Sequence, residues 1–243
     1  MYKRGVVHGD IKSDNMMFKL KDTNMPVLID WGLSYVVDEN SKKAPNAIYD
    51  LATQWHHPFS SFLFKRKLLD KYDTFLQKLK ADGLELTRDT VLPFALSSYS
   101  NFMNQHNNQF LSLYNLFTSF YMEDFMMYLE KSEMISSEYL IMYNIVLKYI
   151  VEYIIDVLVS YTINYKFDID KYFNEVYLMN IDTWGVLSLY YDIVEKKKET
   201  FSISEKDYKM LVNKIMYLMI DNVFKNGNKI IDLTKVTNDI KKI

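Results

Sequence analysis

Four prolines and six glycines are all that punctuate 243 residues. So few helix breakers and turn formers leave long uninterrupted segments, and helices are expected to dominate. Hydrophobic residues make up 49% and charged residues 25%. That supplies a sizeable core for one large domain or two small ones and argues against wholesale disorder. Cysteine is absent, which excludes disulfides, thiolate zinc sites and thiol nucleophiles. The 29 basic and 31 acidic side chains leave a formal net charge of -2. No global basic field points to nucleic acid as a partner.

The first sixty residues break the helical pattern. Met16 to Leu20 and Pro26 to Ile29 are short apolar runs flanked by polar residues, which predicts two strands joined over Lys21 to Asn24. Tyr35 to Val37 reads as a third short strand, and Asp38 to Ala47 as a loop. From Leu63 onward the apolar residues recur at helical spacing, first over Lys65 to Lys80 with Asp82-Gly83 as its stop. Leu84 to Pro93 is ambiguous. Further helices are expected over Asn108 to Glu130, Met134 to Ile163, Ile181 to Lys198 and Glu205 to Phe224. Ser204 with Asp207 three residues on is a capping signal, and Asn226-Gly227 a stop.

No apolar run at the N-terminus is long enough for a signal peptide. Tyr139 to Ile163 is long enough to span a bilayer. Lys148, Glu152 and Asp156 lie inside it at i, i+4 spacing, however, so one charged stripe runs along an otherwise apolar helix. Each charge would cost about 2.5–3.5 kcal/mol at mid-membrane. The segment reads as a buried helix, with no membrane as partner and a reducing, cytoplasmic compartment expected.

The chemistry-bearing residues concentrate near the start. Residues 6–15 read Val-Val-His-Gly-Asp-Ile-Lys-Ser-Asp-Asn, and Ile29-Asp30-Trp31-Gly32 follows the second predicted strand. The pair resembles the catalytic loop and metal-binding turn of the protein kinase family, H-x-D-x-K-x-x-N followed by D-[FW]-G. Thr53-Gln54-Trp55-His56-His57-Pro58 resembles the end of that family's activation segment, and Asp182-Thr183-Trp184-Gly185-Val186 the start of its central buried helix. Kinase-like proteins of large DNA viruses look similar in composition and in the turn around Asp30, which would place the protein in host cytoplasm or virion.

The resemblance implies a Ser/Thr protein kinase that uses ATP and Mg²⁺. Asp10 would orient or accept the proton of the substrate hydroxyl, and Lys12 would place positive charge near the transferred phosphate. Asn15 and Asp30 would hold Mg²⁺ through hard oxygen ligands. Thr53 would bond Asp10 and Lys12 beneath the substrate. His8, Trp31 and Gly32 would tie the two loops together, and Asp182 would hydrogen-bond the backbone of the catalytic loop. His56 and His57 read as activation-segment residues rather than metal ligands, because no other clustered ligand accompanies them in sequence. His106 stands in an amide-rich loop. A small-molecule phosphotransferase is the weaker reading, because Lys12 and the Thr53 segment favour protein substrates.

The departures from the family shape the rest of the reading. Gly9 stands where an arginine pairs with a phosphorylated loop, so control by that device is not expected. Phe59 and Ser60 stand where a glutamate is expected, and residues 89–243 contain no arginine to pair with one. The expected fold is mainly α with a small β element, a protein-kinase-like C-lobe with an enlarged helical insertion. Residues 1–60 would carry the catalytic loop, metal-binding turn and activation segment. Residues 61–180 would be the helical insertion, and residues 181–243 the central and C-terminal helices of the same lobe. Seven residues precede His8 and no G-x-G-x-x-G occurs, so a missing N-lobe or a partner chain is expected to complete the nucleotide site. The alternative is a catalytically inactive kinase-like binding or scaffold protein.

Overall fold

Two short strand pairs hold the N-terminal region. Val6–Val7 (β1) pairs antiparallel with Tyr35–Val36 (β4), closing a loop around the hairpin of Met16–Lys19 (β2) and Asp22–Leu28 (β3). The structure, a computed structural model, describes residues 5–19, 22–37, 43–105, 146–191, 193, 202–225 and 227–243. Strand β3 starts earlier than expected, so most of the anticipated connection is strand. Met16 lies opposite Leu28 and Phe18 opposite Pro26, and the register shifts between Phe18 and Lys19. Pro26 can give no N–H to the ladder, which a two-stranded ribbon tolerates because both strands are edges.

The helical part follows the apolar periodicity. Arg66–Ala81 (α1) buries Tyr72, Leu76 and Leu79 on one face and stops at Asp82, with Gly83 at φ +67°. The ambiguous stretch after it divides at Thr87. The Thr87 and Thr90 hydroxyls accept from each other's backbone N–H at 2.9 and 3.2 Å, a reciprocal cap. Arg88–Gln105 (α2) then runs on through Pro93. The region expected to be helical over Asn108 to Glu130, the first part of Met134 to Ile163, His106 and the lysine run at 196–198 lie outside the described residues.

A π-helical turn, Val146–Val151, leads into Glu152–Ser160 (α3). This helix stops short of the expected Ile163. Thr162–Ile163 (β5) and Lys166–Phe167 (β6) form a hairpin whose two turn residues, Asn164 and Tyr165, have φ of 52° and 59°. The charged stripe has a partner, since Glu152 and Asp156 both bind the Arg88 guanidinium. Among the described residues no helix is long and apolar enough to cross a membrane.

Asp168 accepts from Lys171 N and caps Ile169–Tyr172 (α4), which passes through a π-helical turn, Phe173–Tyr177, into Leu178–Ser188 (α5). Asp182 therefore sits inside a helical run and not at its start. Ser204 accepts from Asp207 N at 3.1 Å and caps Glu205–Met219 (α6), as its sequence signal predicted. That helix continues through a π turn to Phe224, and Asp232 caps Leu233–Ile240 (α7).

One aromatic-rich core joins residues from both ends of the chain. Trp184 of α5 is fully buried, with ring centroids 4.9 Å from Phe59, 5.7 Å from Tyr153 and 5.9 Å from Phe224. Ser60, where the resemblance led us to expect an acid, lies 2.6 Å from the Tyr172 hydroxyl. Apolar and hydroxyl groups thus fill the place of a buried ion pair, and neither charged end is stranded.

Burial also makes the fold sensitive to alkali. It pushes the Tyr35 phenol up to about 12 and raises Tyr72, Tyr99, Tyr153, Tyr172, Tyr177 and Tyr191. The folded state favours the neutral phenol, so stability is whole below the unfolded value of about 10 and is lost as pH rises through the folded values. Each phenol withdraws up to about 1.4 kcal/mol per pH unit in that window. Urea midpoints are expected to fall steeply above about pH 10; a flat midpoint there would contradict the buried phenols.

Candidate active site

The β2–β3 register brings the two N-terminal motifs together. Ile29 N donates to Asn15 O at 2.9 Å, which sets Asn15 beside the turn that carries Asp30. His8 links the same loops. Its Nε2 is 3.0 Å from Ile29 O, and its Nδ1 accepts from Asp10 N at 3.3 Å. An amide N–H can only donate and a carbonyl can only accept, so His8 is the Nε2–H tautomer. The Trp31 ring lies 4.6 Å from that imidazole but remains half exposed.

Helix α5 supports the loop from below. Asp182 accepts from His8 N at 3.0 Å through Oδ2 and from Gly9 N at 2.9 Å through Oδ1. Two glycines make the approach possible. Gly9 has φ +78°, and a Cβ there would fall 2.5 Å from Leu33 O. The backbone therefore demands glycine where the family's arginine was expected. A Cβ on Gly185 would fall 2.7 Å from Ile11 O, so that glycine lets α5 touch the loop directly. Asp182→Asn would turn an amide NH₂ toward one of the two backbone donors. We expect it to cost about 1–3 kcal/mol of stability and to speed amide exchange at His8 and Gly9. Unchanged exchange would show that the loop does not depend on this carboxylate.

Asp10 is the most heavily engaged group. Its Oδ2 accepts from Asn15 Nδ2 at 2.8 Å and from Lys12 Nζ at 2.9 Å. Its Oδ1 lies 2.7 Å from His56 Nε2. Burial raises the Asp10 carboxyl, but the hydrogen bonds and charges of Lys12 and His56 outweigh it and hold the group below its ordinary value. Burial lowers His56, and the Asp10 carboxylate offsets only part of that. His57, whose Nε2 is 3.9 Å from the same Oδ1, is pushed down to about 3 by burial and by the His56 ring.

The histidine contacts correct the sequence reading in two ways. Thr53 Oγ1 is buried and has no hydrogen-bond partner among the described residues. The expected bond from Thr53 to Asp10 and Lys12 is not made; the donors on Asp10 are Lys12, Asn15 and His56. His56 occupies the place instead, presented by a turn in which His57 N donates to Gln54 O at 3.1 Å. In sequence the pair carried one usable signal: adjacent histidines in a segment that the resemblance brings to Asp10.

Asn15 and Asp30 suit a hard divalent cation. Asn15 Nδ2 serves two acceptors, the main-chain oxygen and Oδ2 of Asp10, which turns its Oδ1 away from them. Asp30 is exposed, has φ 59°, and spends one oxygen on a 3.4 Å contact with Gly32 N. An amide oxygen and an exposed carboxylate on neighbouring loops are the donor types that Mg²⁺ takes.

Residues 2–61 match the phosphotransferase enzyme family. The chain is also similar to an EKC/KEOPS complex subunit of Schizosaccharomyces pombe, with 33% identity over 82 residues, covering 33% of this chain and 34% of that protein. The chain thus matches about a third of the length of that curated relative. No solved structure gives a significant match. The segment that builds the Asp10 site is therefore similar to a phosphotransferase family.

Proposed function

We propose that the chain transfers the γ-phosphate of Mg²⁺-ATP to a protein hydroxyl, acting as the C-terminal lobe of a Ser/Thr protein kinase in which residues 61–180 enlarge the helical part. The observation that carries this is the convergence of Lys12, Asn15 and His56 on one buried carboxylate, Asp10, inside the segment similar to phosphotransferases. Phosphoryl transfer needs a held base, neutralising charge and aligned oxygen ligands rather than a covalent nucleophile. Asp10 accepts the acceptor-hydroxyl proton, and Lys12 brings its ammonium to the transferred group. Asn15 and Asp30 hold Mg²⁺, which when bound neutralises charge on the nucleotide phosphates. Asp182 keeps the His8–Gly9 backbone in position beneath them.

A second reading, a kinase-like scaffold, is favoured by exposed apolar side chains on and beside the hairpin: Met17, Phe18, Met25 and Trp31. The relative's name as a subunit of a complex supports partnership of the same kind. Transfer of labelled γ-phosphate to a Ser/Thr protein substrate, with and without chelation of Mg²⁺, separates the two. Transfer abolished by the chelator supports the kinase reading. Failure both to transfer phosphate and to bind nucleotide would leave the scaffold reading standing.

A further inference from the structure

Asp10 divides its carboxylate. Oδ2 faces Lys12 and Asn15, whereas Oδ1 faces His56 and His57, and this second side has the makings of a metal site. One ligand atom each from Asp10, His56 and His57 lies within 4.8 Å of the other two, and all three residues are buried. We propose that these three side chains bind a borderline divalent transition ion of the Zn²⁺ class, apart from the Mg²⁺ ligands Asn15 and Asp30, and that the bound ion withdraws Asp10 from its acceptor hydroxyl.

Unsatisfied nitrogens point to a ligand. A loose contact with the Gly9 backbone apart, neither ring nitrogen of His57 has a hydrogen-bond partner among the described residues, although the residue is only 2% exposed. Nδ1 of the buried His56 is likewise without one. Buried polar atoms are rarely left so, and an ion between Asp10 Oδ1 and the two rings would engage Nε2 of His57. The dimensions agree. Around a tetrahedral ion with bonds of about 2.0–2.1 Å, ligand atoms sit about 3.3 Å apart. The His56 contact of 2.7 Å would open and the His57 contact of 3.9 Å would close, each by roughly half an ångström.

Ligand chemistry selects the metal. Two imidazoles and one carboxylate favour Zn²⁺ and its first-row neighbours, whereas Mg²⁺ prefers all-oxygen sites. The proton count balances. His56 now donates Nε2–H to Asp10; on metal binding that proton moves to Nδ1, the ring stays neutral, and the carboxylate offsets part of the ion's charge. Inhibition of transfer rests on the role proposed above for Asp10, but binding does not.

The test uses the full chain, stripped of metal. Co²⁺ titration followed by electronic absorption is expected to show one equivalent bound, with the intense visible bands of a four-coordinate nitrogen–oxygen site. Zn²⁺ should displace the Co²⁺, and millimolar Mg²⁺ should not. Competition with a chromophoric chelator should show His57→Gln weakening Zn²⁺ by more than about 100-fold, beyond the loss expected from an outer-shell partner. Absent bands, displacement by Mg²⁺, or equal Zn²⁺ affinity in His57→Gln would overturn the site. Should that variant not fold, the Co²⁺ spectrum and stoichiometry of the unaltered chain decide. Zn²⁺ bound without loss of phosphotransfer would overturn the inhibitory half. An inert Zn²⁺ titration in a chain whose transfer depends on Asp10 would overturn the site and leave the kinase reading intact.

Discussion

Asp10→Asn is expected to lower turnover by about 10²–10⁴-fold, the usual worth of general acid–base help. The substitution keeps the size of the side chain and removes its charge and its basicity. Three donors, Lys12 Nζ, Asn15 Nδ2 and His56 Nε2, converge on the carboxylate within 2.9 Å. An asparagine offers them one oxygen and sets its own NH₂ against the rest, so some loss of stability accompanies the loss of rate. Because Asp10 Oδ2 also bonds Lys12 and Asn15, nucleotide affinity is to be measured beside the rate. Single-turnover transfer of labelled γ-phosphate, read alongside a urea melt, separates chemistry from folding. Undiminished transfer would remove Asp10 from the mechanism.

The second large effect concerns Trp184, on which helix α5 is anchored. Trp184→Ala is expected to cost about 3–5 kcal/mol, the range for emptying an aromatic from a packed core. The ring is wholly enclosed by Phe59, Tyr153 and Phe224, whose own packing leaves little room to collapse. Trp184→Phe should cost much less. Its Nε1 has no hydrogen-bond partner among the described residues, so removing the indole N–H forfeits no bond and relieves an unsatisfied donor. Urea midpoints at constant m-value provide the measurement. A loss below about 1 kcal/mol for Trp184→Ala, against that range, would mean that the neighbouring rings refill the space. The effect should reach the site as well, since Asp182 and Gly185 flank this residue and hold the loop at His8, Gly9 and Ile11.

Local chemistry was readable before any coordinates. The hairpin between Asn15 and Asp30, the face of α1, and the Ser204 cap each depend on residues a few positions apart, where backbone geometry follows directly from side-chain type. Helix boundaries were less legible. Asp168 begins a helical run well before Ile181, and α3 stops at Ser160, short of the end of the apolar stretch, where the chain turns back at Asn164-Tyr165. In both places a short polar signal outweighed a long apolar one, because capping and positive φ are decided residue by residue.

Residue order is enough to show which residues bear charge and which turns carry them: the loop of His8, Asp10, Lys12 and Asn15, and the turn at Asp30. Tertiary structure alone decided what each of them touches. His56 reaches Asp10 across 46 residues of chain and displaces the contact expected of Thr53. Asp182 was assigned to the loop only through a family likeness, and its two bonds span 174 and 173 residues. Phe59 and Ser60 became core where an acid was expected. A carboxylate accepts whichever donors the packed chain delivers to its two oxygens. That delivery depends on how α5 and the turn at Gln54–His57 pack against the loop, which no local pattern of residues encodes.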